Sequence, residues 1–109
     1  LSGPIPRDLM WCTKLRTLNL GRNLLDGEIP ESFKNLRSLS HLSLSSNGLT
    51  NLSSALLVLQ HLPQLTTLVL TTNSYDGETL PMDGISGFMS MQVLVLANCA
   101  LSGNIPPWL

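Results

Sequence analysis

The stretch LRTLNLGRNLLDGEIP (residues 15–30) decides the architecture. Leu15, Leu18 and Leu20 set a Leu-x-x-Leu-x-Leu spacing, Asn23 follows three residues later, and Leu25, Gly27, Ile29 and Pro30 complete the frame. The frame returns in LSHLSLSSNGL (39–49), in LTTLVLTTNSYDGETLP (65–81) and in MQVLVLANCALSGNIP (91–106). The position held by Leu25 is also held by Leu1, Leu49, Tyr75 and Leu101, with steps of 24, 24, 26 and 26. The two chain ends, LSGPIPRDL (1–9) and LSGNIPPWL (101–109), therefore sit at one phase of the period and share six of nine residues.

A Leu-x-x-Leu-x-Leu-x-x-Asn frame recurring at this period is a leucine-rich repeat. The fold class expected is an α/β solenoid, a right-handed superhelix of about four repeats with a short-stranded parallel sheet on its concave face. Residues 1–109 form one repeat segment: a partial repeat over 1–14, repeats starting near 15, 39, 65 and 91 with the last incomplete, and no caps. In Leu-x-Leu both leucines fall on the inner face of a short strand and the residue between them faces out. Strands are predicted near 17–20, 41–44, 67–70 and 93–96. Asn23, Asn47 and Asn73 stand where the chain leaves each strand, placed to bond backbone groups of adjacent coils. Gly27, Gly77 and Gly103 supply a conformation that a side chain would strain. Pro30, Pro81 and Pro106 then predict an extended return path on the convex side.

Two repeats depart from the frame. TNLSSALLVLQHL (50–62) places Leu52, Leu56, Leu59 and Leu62 on one helical face, with Ser53 or Ser54 as the expected cap. MDGISGF (82–88), with two glycines, reads as a looser excursion.

The chain carries a net charge of -1, 12% charged residues and no basic stripe, which argues against nucleic acid as a partner. Its longest apolar run, ALLVL (55–59), is far shorter than the roughly 20 residues of a membrane span, and no leader-like segment is present. No membrane contact by this segment is expected. Cys12 falls in the convex apolar slot of Leu36 and Leu62 and is expected to be a small buried hydrophobe. Cys99 falls in the Asn slot. The two lie too far apart in the solenoid to pair. His41 and His61 lack a carboxylate at constrained spacing, and the seven acidic residues read as solvated loop residues. No phosphate loop, nucleophile elbow, metal-ligand cluster or cofactor motif occurs, so no enzyme activity, cofactor or metal is expected. Asn51-Leu52-Ser53 is an N-glycosylation sequon, making Asn51 a candidate modification site.

The outward strand positions form columns: Thr17, His41, Thr67 and Val93; Asn19, Ser43, Val69 and Val95; Gly21, Ser45, Thr71 and Ala97; Arg22, Ser46, Thr72 and Asn98. The third is small throughout, and Val69 and Val95 are expected exposed side by side in a hydroxyl and amide field. Such residues suit strands by propensity alone. They also describe a shallow trough in which an extended peptide lies close to the sheet.

The Leu-x-Gly-x-Ile-Pro frame resembles the plant extracellular leucine-rich-repeat class of receptor kinases, receptor-like proteins and cell-wall inhibitors. The stretches ESFKNLRSLSHLSLSSNGLTNLSSALLVLQH (31–61), LTTLVLTTNSYDGETLP (65–81) and VLVLANCALSGNIPPWL (93–109) resemble the phytosulfokine receptor family, which binds tyrosine-sulfated peptides. The resemblance implies a segment of a receptor ectodomain at the extracellular face of the plasma membrane, with a peptide as ligand and a co-receptor kinase joining through the parent. Carried over, the family's inner-face contacts fall on Asn19, Ser43, Ser45, Thr71 and Asn98, with Val69 and Val95 beside them. Arg16 and Arg22 are the concave-side cations, and neither is assigned to sulfate. The alternative is a secreted repeat inhibitor or a kinase-less receptor-like protein whose concave face binds a protein.

Overall fold

A computed structural model describes residues 2–73, 77–81 and 83–96. Its principal sheet holds β2 (Thr17–Asn19), β4 (His41–Ser43), β6 (Thr67–Val69) and β7 (Val93–Val95), all parallel and in the order β2-β4-β6-β7. Each strand falls where the Leu-x-Leu alternation predicts it. The register pairs Thr17 with His41, His41 with Thr67 and Thr67 with Val93, so equivalent repeat positions stand beside one another.

Burial follows stacking. Leu18 on the first strand retains 8% exposure, while Leu42 and Leu68 on inner strands retain 1% and 0%. Leu20 is half-buried, but its counterparts Leu44 and Leu70 are fully buried. Each coil covers the next, so about 1.5–3 kcal/mol per leucine accrues only once a neighbour is in place. Cys12 corrects the expectation for it. Its slot is buried at Leu36 and Leu62, but Cys12 itself, in the first described coil, is exposed. Cys99 lies outside the described residues.

Each coil turns by a left-handed residue after its strand: Arg22, Ser46 and Thr72 have φ of 57°, 59° and 58°. These positions therefore end the strand rather than extend its outward row. The turn carries the next asparagine inward. Asn47 Nδ2 donates to Leu20 O (3.0 Å) and Leu44 O (3.1 Å), and Leu25 N donates to Asn47 Oδ1 (3.0 Å). Asn73 repeats this with Leu44 O, Leu70 O and Leu49 N at 3.0, 3.0 and 3.1 Å. The ladder thus closes backbone bonds that the strand ends leave open.

A second parallel sheet, not expected from the sequence, runs along the strand-exit side: β1 (Ser2–Pro4), β3 (Leu24–Gly27) and β5 (Gly48–Leu49). Its partners are 22 residues apart, against 24 between β2 and β4. The slip of two positions preserves the side-chain alternation of a strand. Gly27 and Gly77 have φ of 76° and 75°, so glycine is required there as the frame predicts.

The convex path also differs from expectation. Pro6 and Pro30 are extended, but each starts a 3-10 turn, over Arg7–Trp11 and Glu31–Asn35. Among the described residues only the third coil has a true helix, α1 (Leu52–Leu59), which buries Leu52, Leu56 and Leu59 as its periodicity requires. The cap is Asn51 rather than Ser53 or Ser54: its side chain accepts from Ser54 N (3.2 Å), with Asn51 in the left-handed region at φ 60°. Asparagine tolerates that conformation better than serine.

The described part of 82–88 is fastened, not loose. Gln60 Nε2 donates to Gly84 O (2.8 Å), while Ser86 N and Gly87 N donate to Gln60 Oε1 (2.9 Å each). A Cβ on Gly87 would collide with the Gln60 backbone, so only glycine permits this approach.

Candidate functional site

The candidate surface is the outward face of the four-stranded sheet. Its register aligns one row as Thr17, His41, Thr67 and Val93 and the next as Asn19, Ser43, Val69 and Val95. Between them lies an open depression of about 190 Å³, lined by Thr17, Asn19, His41, Ser43, Thr67 and Val69. Val69 and Val95 are neighbours on β6 and β7, as expected, but both are half-buried. Val93 is the valine that solvent reaches, at 46% exposure.

The floor rises beyond the strand ends. Gly21 N donates to Asn19 Oδ1 (2.9 Å), and a Cβ at Gly21 would lie 3.1 Å from that oxygen and 3.3 Å from Ser45 O. Ser43 Oγ and Ser45 Oγ stand 3.5 Å apart. The described part of this row closes at Thr71, whose Oγ1 is buried and without a hydrogen-bond partner. A buried hydroxyl left so is unfavourable by about 1–3 kcal/mol, which sets Thr71 apart from the other polar groups of the described face. Asn98 lies outside the described residues. His41 is exposed, with Nδ1 2.8 Å from Ser40 Oγ.

The strand-entry side is tied by repeated bifurcation. Arg16 O accepts from Ser40 N, His41 N and Ser40 Oγ, and Ser40 O accepts from Thr66 N, Thr67 N and Thr66 Oγ1. These hydroxyls brace the sheet edge and are unavailable as donors.

Asn51, the sequon residue, is exposed and held from both neighbouring coils. Its Nδ2 donates to Glu28 Oε1 (3.0 Å), and its backbone N donates to Glu78 Oε2 (3.0 Å). Leu52 N donates to Glu78 Oε1 (2.7 Å), placing a carboxylate at the positive end of α1. Glu28 and Glu78 are therefore structural anchors and not merely solvated loop residues. The signal for them was present in the Asp-Gly-Glu repeated at 26–28 and 76–78. Among the described residues no three His, Cys, Asp or Glu side chains gather as a metal site, and no helix is long and apolar enough to cross a membrane.

Comparison with known proteins follows the same lines. Leucine rich repeat family models match residues 13–74 and 90–109. Phytosulfokine receptor 1 of Arabidopsis thaliana is 55% identical over 76 residues, which is 70% of this chain and 7% of that receptor. The structure titled plant peptide hormone receptor RGFR1 in complex with RGF2 superposes with a TM-score of 0.73 at 38% identity, over 87% of this chain and 15% of its own. The crystal structure of PEPR1-AtPEP1 gives a TM-score of 0.78 at 33% identity, over 96% of this chain and 14% of its own. The chain thus spans a small fraction of each relative.

Proposed function

Because the chain belongs to the leucine-rich-repeat family, and repeat segments of this kind are not catalytic, we propose that it supplies part of the peptide-binding face of a plant cell-surface receptor. The observation that carries this reading is the in-register row Asn19, Ser43, Val69 and Val95 beside the depression on the sheet. The likeness to a phytosulfokine receptor and to two receptor complexes supports a peptide as the ligand class. The ligand proposed is a short tyrosine-sulfated peptide in extended form. Asn19, Ser43, Ser45 and Asn98 bond its polar groups, Thr71 joins them once the ligand draws out its covered hydroxyl, and Val69 and Val95 pack its apolar atoms. The segment faces the cell exterior as part of a parent ectodomain, through which a co-receptor kinase joins. Asn51 carries an N-linked glycan; the glycosylated amide keeps one N–H for Glu28 and its carbonyl for the helix cap.

Calorimetric titration of such a peptide into the intact protein tests the reading. Thr71→Lys forces a cation into the end of the trough and is expected to abolish binding while far-UV circular dichroism stays unchanged. Unaltered affinity in that folded variant refutes the assignment.

A further inference from the structure

The charges of this chain are sorted across the solenoid. The segments that lead into the strands, residues 11–16, 35–40, 61–66 and 88–92, hold Lys14, Arg16, Arg37 and His61 and no aspartate or glutamate. The seven acidic residues all lie elsewhere; the two nearest in sequence are Asp8 and Glu31, and Glu31 is engaged by Lys34 at 2.9 Å. At the strand entrances Arg16, Arg37, Ser38, Ser40 and Gln64 line a cleft of about 430 Å³. Its lining is drawn from three successive coils: Arg16 precedes β2, Arg37, Ser38 and Ser40 precede β4, and Gln64 precedes β6.

The cleft is rich in donors. Two guanidinium groups carry five N–H donors each and no acceptor. Neither has an ion pair among the described residues. The backbone beneath them is fixed, because Arg16 O accepts from both Ser40 N (2.8 Å) and His41 N (3.1 Å). Both guanidinium groups line the one cleft, so an anion seated there is attracted by both. The planar fork of arginine suits a carboxylate or sulfate in bidentate geometry.

We propose that this cleft is an oxyanion subsite: the Arg16 and Arg37 guanidinium groups receive a carboxylate or sulfate ester of a polypeptide that runs along the strand entrances. It rests on the peptide reading above only for the polypeptide nature of the ligand. The subsite lies outside the small-residue trough, so substitutions separate the two.

Fluorescence anisotropy of labelled peptides on the full chain tests it. The probes are an oligoglutamate, a tyrosine-sulfated peptide lacking aspartate and glutamate, and a neutral oligoglutamine. At low ionic strength one or both anionic probes bind and the neutral one does not, with affinity falling as salt approaches about 0.15 M. Binding of oligoglutamate alone assigns a carboxylate, of the sulfated probe alone a sulfate ester, and of both a general oxyanion site. Arg16→Gln and Arg37→Gln each weaken the bound probe about tenfold, the loss expected of one charge-assisted contact. Arg22→Gln, an equal charge change at the strand-exit turn, leaves it unchanged. Thr71→Lys leaves oligoglutamate binding no weaker, which separates this subsite from the trough. Failure of both anionic probes to bind overturns the proposal, and so does equal weakening by Arg22→Gln.

Discussion

Asn73→Ala tests the ladder at its most enclosed rung. Asn73 is 8% exposed and makes three hydrogen bonds: Nδ2 to Leu44 O and Leu70 O, and Oδ1 from Leu49 N. At about 1 kcal/mol net apiece the three contribute about 3 kcal/mol, and the abandoned Leu49 N–H adds roughly 1–2 kcal/mol of unmet desolvation. The expected cost is therefore about 3–5 kcal/mol, between two and four decades in the folding equilibrium at roughly 1.4 kcal/mol per decade. The control is Asn35→Ala, at an exposed position that closes the second 3-10 turn, expected within about 0.5 kcal/mol of wild type. Urea unfolding followed by circular dichroism reads both, with the slope m held constant as evidence of an unchanged transition. If Asn73→Ala unfolds at the same urea concentration as Asn35→Ala, the ladder does not hold the coils together and the reasoning is wrong.

Other parts of the molecule make separate demands. Gly87→Ala drives a methyl into the Gln60 carbonyl and is expected to cost about 1–3 kcal/mol. Amide exchange at Ser86 and Gly87 should speed up, and unchanged exchange would show that the Gln60 clasp is unimportant. Glu78→Gln removes the charge from the start of α1 and should lower stability by about 1 kcal/mol in thermal unfolding; no change would mean that Asn51 alone suffices as cap. Glu31 titrates below the ordinary glutamate value because Lys34 donates a hydrogen bond to it and adds its positive charge. Its small stabilisation is thus present above the ordinary glutamate pKa and is lost as pH falls through the lowered folded value. An NMR titration of Lys34→Ala should return Glu31 to the ordinary range, and an unmoved value would refute the pairing.

The strands, the asparagine ladder and the face of α1 were legible because each depends on spacing within one coil. Leu18, Leu42 and Leu68 recur at the same phase, and a two-residue alternation leaves no choice about which way they point. What escaped the sequence depends on the next coil. Cys12 shares a slot with two fully buried leucines but is itself exposed, so the slot alone does not decide burial. Gln60 reads as an ordinary residue past a helix end, and its partners stand 24 to 27 residues away. The cap of α1 was misplaced by two or three residues because serine is the commoner cap, whereas this one requires a left-handed residue. Arginine and threonine seldom adopt positive φ, so nothing in Arg22 or Thr72 announces the turn that all three coils share. Of the candidate site, the column order could be read directly. The unpartnered Thr71 hydroxyl and the close packing of Gly21 required coordinates.

Hydrogen-exchange mapping with and without a bound tyrosine-sulfated peptide tests the central claim most directly. The account predicts slowed exchange at residues 17–21, 41–45, 67–71 and 93–95, with α1 and the Arg7–Trp11 turn unaffected. Protection confined to α1 and the 3-10 turns, with the sheet face exchanging as in the free protein, would contradict it.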